Sequence, residues 1–250
     1  MDSNSNNSSY LDRFLTLKCC GDVLNAVAPI NKGEKEISEA MGMIKAIKPH
    51  VMAHKMEYTL VDLCAGNALT SILAVHLLPI KRAIAINIKP HNRHHDMVTR
   101  FKYITADINR PNILDIIQKE VNFNNKYLTD MREAEKVIIV STHPCKELAN
   151  RIIGIFNCLP NADYLFLMPC CVGKIGNEYK FLLNNEDLRK KIGMYNIWSL
   201  DLAHRINGIL KIDKHITSPC NAVISTKKQK NLIKNQGFEW TKTFSEFNST

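Results

Sequence analysis

The stretch Tyr58-Thr59-Leu60-Val61-Asp62-Leu63-Cys64-Ala65-Gly66-Asn67-Ala68-Leu69 decides how the rest of this chain is read. Tyr58 to Leu63 reads as a buried strand, Cys64 to Gly66 as a sharp turn of small residues, and the apolar run from near Asn67 as a helix. A strand that feeds a helix through such a turn can aim backbone N–H groups at a ligand. Asp62 stands near the strand end, and Cys64, Ala65, Gly66 and Ala68 keep side chains short where the ligand would approach. No Gly-Lys-Ser/Thr follows, which excludes the phosphate-binding P-loop.

Working outward, 250 residues suffice for one sizeable α/β core with an extension. The formal charge of +9 favours a polyanionic partner, RNA above all. Eight cysteines include the adjacent pairs Cys19-Cys20 and Cys170-Cys171, which bridge poorly, and no signal-peptide pattern opens the chain. A reducing, cytoplasmic setting is therefore expected. The longest apolar run, Leu69 to Ile80, is too short to span a bilayer and contains His76.

Residues 1–9 are polar and are expected to be a disordered tail. Apolar spacing from Tyr10 onward predicts one or two helices, then a break over Pro29 to Gly33, then a helix over Glu34 to His54 interrupted at Pro49. This preface either lies at the mouth of the sheet, where a substrate enters, or only caps it. Further strands are predicted at Arg82–Ile88, Phe101–Thr105, Lys136–Ser141 and Ala162–Met168, with a closing pair at Ile209–Ile216 and Asn221–Thr226. A polar insert spans 122–130, and a basic helix is expected over Lys227 to Asn235. His91, His94 and His95 cluster in a turn without cysteine or carboxylate neighbours at ligand spacing, which favours a solvated basic rim over a metal site.

In this architecture the residue ending the second strand faces ribose hydroxyls and is usually acidic; here it is Asn87. Asp107, after the third strand, reads either as a partner for an adenine amine or as a turn residue. Thr142-His143-Pro144-Cys145 follows the fourth strand and Pro169-Cys170-Cys171 the fifth, where open α/β sheets place their sites. His143 is either a proton acceptor or a structural histidine at a strand end. The paired cysteines are either small buried hydrophobes or part of the site. Adjacent cysteines reach one ion awkwardly and no C-x-x-C is present, so no metal is expected.

The Asp62-to-Ala68 turn resembles motif I of class I S-adenosylmethionine-dependent methyltransferases, D-x-G-x-G-x-G, with Cys64 and Ala68 at the first and third glycine positions. His143-x-Cys145, Leu148-Ala149 and Cys170-Cys171 resemble the methyltransferase domain shared by the tRNA acceptor-stem 2′-O-methyltransferases and a group of methyltransferase-like proteins. Two departures stand out: Lys146 replaces a common glycine, and Val172-Gly173 replaces histidines after the cysteine pair. The resemblance implies an α/β, Rossmann-like seven-stranded sheet with helices on both faces. It divides the chain into the tail (1–9), an N-terminal helical extension (10–56) and the methyltransferase domain (57–250). It implies S-adenosylmethionine as cofactor, held by Asp62, Cys64, Ala65, Gly66, Asn67, Asn87, Asp107, Ile108 and Thr142. It places His143, Cys145, Cys170 and Cys171 on the reacting side. The expected activity is methyl transfer to RNA, with tRNA favoured. The alternatives are a catalytically weak RNA- or protein-binding module of the same fold, and a small-molecule methyltransferase.

Overall fold

A computed structural model describes residues 8–121 and 135–229. The residues 1–7 of the polar tail, the insert over 122–130 and everything expected beyond 229 lie outside the described residues. The chain opens with helices α1 (Tyr10–Leu15), α2 (Cys20–Val27) and α3 (Gly33–Val51). Strand β1 (Tyr58–Leu63), helix α4 (Leu69–Leu77), strand β2 (Arg82–Asn87) and strand β3 (Phe101–Thr105) follow. Helix α5 (Ile113–Glu120), strand β4 (Lys136–Thr142), helix α6 (Glu147–Cys158) and strand β5 (Ala162–Met168) continue the alternation. Helices α7 (Lys180–Asn184), α8 (Glu186–Ile192) and α9 (Met194–Arg205) precede the closing strands β6 (Ile209–Ile212) and β7 (Ala222–Lys227).

The strands form one seven-stranded sheet in the order β3-β2-β1-β4-β5-β7-β6. The first five are parallel, and β7 runs antiparallel between β5 and β6. This is the α/β, Rossmann-like sheet expected. Successive side chains of a strand point to opposite faces, so each strand feeds two cores. Leu60, Ala85, Val140 and Phe166 pack with α1 to α4, whereas Val61, Ile84, Ile139 and Leu165 pack with α5, α6 and α9. β1 is buried along its whole length, as a central parallel strand must be. Strand order reverses between β1 and β4, and in open α/β sheets the crevice beyond the carboxyl ends at such a point is the place for a ligand.

The N-terminal helices are built into this body. Ser9 caps α1 by accepting from the Asp12 N–H, while Asp12 accepts from the Ser9 N–H in return. The Tyr10 hydroxyl donates to Asp213 at 2.6 Å, beyond the end of β6. Gly42 lets α3 approach the same turn, because a Cβ there would lie 2.6 Å from the Ile216 side chain. Pro49 does not end α3, which runs on to Val51. It sits in the last turn, where its missing N–H removes one i→i−4 hydrogen bond and the helix stops two residues later. Among the described residues no helix is long and apolar enough to cross a membrane.

Candidate functional site

Cys64, Gly66 and Ala68 have φ of 61°, 55° and 61°. All three glycine positions of the D-x-G-x-G-x-G pattern are thus left-handed, although two carry a Cβ that makes this conformation unfavourable by roughly 1–2 kcal/mol each. Local hydrogen bonds offset that strain. The Ala65 N–H donates to the Ile86 carbonyl at 3.1 Å, the Ala68 N–H to the Ala65 carbonyl at 2.7 Å, and the Leu69 N–H to Asn67 Oδ1 at 3.1 Å. Below the turn Asp62 is buried; Ser71 donates to its Oδ2 at 2.8 Å, and Oδ1 has no hydrogen-bond partner. Burial, opposed by the Ser71 hydrogen bond, pushes its carboxyl up to about 7.

The turn floors a cleft of about 480 Å³, a size typical of small-molecule sites. Cys64, Ala65, Gly66 and Asn67 line it from β1, Asn87 from β2, and Thr142 and His143 from β4. The Tyr103 hydroxyl reaches the Lys89 carbonyl at 2.9 Å and the Gly66 carbonyl at 3.3 Å, tying the two loops together. Lys32, Lys35, Lys89 and Arg93 bring positive charge to the walls. The helical preface is more than a cap: α3 covers the sheet with Met43 and Ile47 and also presents Lys35, Glu36 and Glu39 to the cleft.

Asp107 and Ile108 are not part of the lining. Asp107 Oδ1 accepts from the Asn109 N–H at 2.9 Å, a turn contact, and the Ile108 side chain is buried in the α5–α6 core. The histidines do not form a uniformly solvated rim. His95 is buried against Phe101 and Tyr103, and burial, with the His91 ring 3.9 Å away, pushes its imidazole down to about 4. Arg100 and Lys102 flank the amino end of β3, opposite the cleft; Arg100 donates to the Ile80 and Val75 carbonyls, and Lys102 pairs with Glu120 at 2.7 Å. Lys227 ends β7 rather than opening a helix. The Lys228 ammonium is taken up by the carbonyls of Phe156, Asn157 and Leu159 at the end of α6. Burial there pushes it down to about 8.

The sequence reading missed Glu39. Its Oε2 lies 2.6 Å from Nε2 of His143, and its side chain is only 1% exposed. Lys35, one turn earlier on α3, has its ammonium 3.8 Å from Oε1. The signal was available: Glu39, Met43 and Ile47 form one i, i+4 row, so an acidic residue sits on the buried stripe of α3. His143 itself has φ of 71°, a strained value for a residue with a Cβ. Its N–H donates to the Met168 carbonyl at 2.9 Å, extending the β4–β5 pairing into the loop.

Cys145, Cys170 and Cys171 come together beside this loop but off the cleft lining. The Cys145–Cys170, Cys170–Cys171 and Cys145–Cys171 sulfurs are 3.0, 3.5 and 3.6 Å apart. A parallel bridge pairs Cys145 with Cys171, and all eight cysteines are free thiols. Burial raises the Cys170 thiol first of all, aided by hydrogen bonds with the other two. Burial also pushes Cys64 up to about 12, and the Asp62 and Cys145 charges act in the same direction.

The residues fit S-adenosylmethionine. A Cβ built on Gly66 meets nothing within 4 Å, so the turn opens directly onto the cleft. Small side chains surround that opening, and the Asn87 amide, half-buried at the end of β2, can hydrogen-bond a ribose diol.

No curated protein sequence matches the chain at a significant level. Among solved structures, the TrmK of M. capricolum in complex with S-adenosyl-homocysteine is 15% identical, over 73% of this chain and 67% of that one, with a TM-score of 0.37. The plantazolicin methyltransferase BpumL, also in complex with S-adenosyl-homocysteine, is 9% identical, over 88% and 95%, with a TM-score of 0.40. The ribosomal protein L11 methylase of Lactobacillus delbrueckii subsp. bulgaricus is 11% identical, over 80% and 81%, with a TM-score of 0.38. The family described as "Methyltransferase domain" matches residues 32–178. That span, more than half of the chain, holds every residue lining the cleft and all three clustered cysteines. The chain belongs to this methyltransferase family.

Proposed function

We propose that this methyltransferase acts on RNA, with tRNA the favoured substrate, and that His143 is the proton acceptor. The observation that carries the substrate class is the cationic wall of the cleft: Lys32 and Lys35 on one side, Lys89 and Arg93 on the other. Together with a formal charge of +9, it favours a substrate that brings phosphates alongside the reacting group.

S-adenosylmethionine would supply an electrophilic methyl group bonded to sulfonium sulfur. The Cys64–Asn67 turn and the Asn87 amide would hold and orient it. His143 then serves a substrate hydroxyl or ring nitrogen. With the Nε2 proton donated to Glu39, Nδ1 is left as the base, and the buried carboxylate stabilises the imidazolium that forms. As that methyl is taken up by the substrate atom, the substrate's proton would pass to Nδ1 of His143. Glu39 is a positioning residue in this scheme, because it acts through His143. Asp107 and Ile108 are second contacts for the adenine end only if the loop after β3 moves inward from its present place.

The test is mass spectrometry of nucleosides after the full chain is incubated with isotopically labelled cofactor and bulk cellular RNA. Label is expected in one modified nucleoside, and not when His143→Gln is used. Label in the low-molecular-mass fraction with none in RNA would overturn the RNA reading in favour of a small-molecule substrate.

A further inference from the structure

We propose that Cys145, Cys170 and Cys171 form a metal site taking one zinc ion through three thiolates, and that this ion clamps the loops after β4 and β5. The inference stands on geometry and does not depend on which substrate is methylated.

Three sulfurs from two separate loops lie within 3.0 to 3.6 Å of one another. The sequence argues against a shared ion because adjacent cysteines diverge in an extended chain. The loop after β5 overcomes this, since the Cys170 and Cys171 sulfurs are 3.5 Å apart and both face Cys145. Backbone pairing fixes the arrangement through the Cys145–Cys171 bridge and the His143 N–H to Met168 carbonyl bond.

Soft thiolates select zinc or copper(I) over hard cations. A Zn–S bond of about 2.3 Å places the sulfurs of a tetrahedral site about 3.8 Å apart. To reach it the Cys145–Cys170 edge opens by about 0.8 Å and the other two edges by about 0.2–0.3 Å, as S–H contacts give way to metal bonds. A disulfide is a poorer account of the cluster. It requires two sulfurs at about 2.0 Å and leaves the third thiol over. The metal would sit above one face of the triangle, and Cys145 is exposed, so a fourth position stays open toward solvent. Two positive charges against three thiolates leave one negative charge in excess.

The consequence reaches the cleft. His143 lies two residues before Cys145, and its N–H is bonded to the Met168 carbonyl two residues before Cys170, so the clamp steadies the strained residue that faces Glu39. Replacing weak S–H contacts with bonds to one ion makes that loop more rigid.

The experiment uses the reduced full chain, stripped with a chelator and titrated with zinc in competition with a chromophoric chelator. Cadmium is added in parallel to count thiolates from their charge-transfer absorption. One equivalent of zinc and three thiolates per cadmium are expected. Cys145→Ser, at an exposed position, should weaken zinc binding at least about tenfold to a hundredfold, and Cys19→Ser should leave it unchanged. The thiolate count is taken on the unaltered chain, so a variant that fails to fold does not decide the matter. Less than a tenth of an equivalent of zinc bound by the reduced protein, or affinity unaltered in Cys145→Ser, overturns the proposal. So does a cadmium complex with fewer than three thiolates.

Discussion

Nε2 of His143 lies 2.6 Å from Oε2 of Glu39, a residue 104 positions earlier in the chain and almost wholly out of water. The contact joins the N-terminal helices to the loop after β4, so the extension helps build the candidate site and does not only cover the sheet. A buried carboxylate needs partners, and this one has few. Its other oxygen has no hydrogen bond, only the Lys35 ammonium at 3.8 Å. Removing the imidazole strands a buried charge, a defect that typically costs 3–5 kcal/mol.

That cost separates two substitutions at one position. His143→Gln keeps an N–H donor for Glu39 but has no base, whereas His143→Ala lacks both. Each should lower turnover on the order of a hundredfold or more while S-adenosylhomocysteine still binds. Only the alanine variant should also lose much of its thermal stability. Full turnover in folded His143→Gln, measured by initial rates on the true substrate, removes His143 from the chemistry.

Gly66 tests the cofactor cradle. S-adenosylhomocysteine at a hundred times its Kd should stabilise the folded chain by about 2.7 kcal/mol, seen as a rise in Tm. Gly66→Val should abolish the rise, because the branched side chain must both adopt φ near +55° and project into the cleft. Gly66→Ala should retain part of it, since a lone methyl has room and adds only backbone strain. An undiminished shift in the valine variant would place the cofactor elsewhere.

Much of the fold was legible because apolar runs and small-residue turns report local structure directly. Tyr58–Leu63, Phe101–Thr105 and Ala162–Met168 appear as strands at the expected residues. What was hidden is tertiary. Whether Arg100, Lys102 or Lys228 faces a ligand depends on which end of a strand it occupies and which carbonyls it meets, and composition says nothing of either. Short motif residues could be placed on their strand ends, which brings Asn87, Thr142 and His143 together. The partner of His143 could not be placed, because it arrives from a helix whose docking no local pattern encodes. Two non-glycine residues in a glycine motif look like a weakened site until their φ values show that the turn is kept.

Asp62 gives a pH dependence with a definite sign. Its native pKa of about 7 lies above the usual carboxylate value, so the folded chain holds this proton more tightly than the unfolded one. The resulting stabilisation is fully present below about pH 4 and is lost as pH rises to about 7, where the native carboxyl also ionises. Asp62→Asn does not titrate. The Tm of the native chain relative to this variant should therefore fall steadily across that window and level off above it. A difference that stays constant, or grows with pH, shows that the buried carboxyl is ionised throughout.

The cations sort into two sets, and the RNA reading depends on the sorting. Lys32, Lys89 and Arg93 line the cleft, whereas Lys102 sits in an exposed pair with Glu120 near the amino end of the sheet. An ammonium that neutralises a phosphate releases a condensed counterion, so the slope of log K against log salt counts such contacts, at about 0.7 per phosphate on a single strand and about 0.9 on a duplex. Lys32→Gln and Lys89→Gln should each reduce the slope by about one contact and weaken binding at low salt. Lys102→Gln should change neither, since the exposed pair it breaks is worth only about 0–1 kcal/mol and lies away from the cleft. Fluorescence anisotropy with a labelled tRNA across a salt series measures all three. A slope that responds to Lys102 as much as to the cleft lysines points to diffuse attraction by net charge. A slope near zero for the native chain removes phosphate recognition, and with it the case for RNA as the substrate.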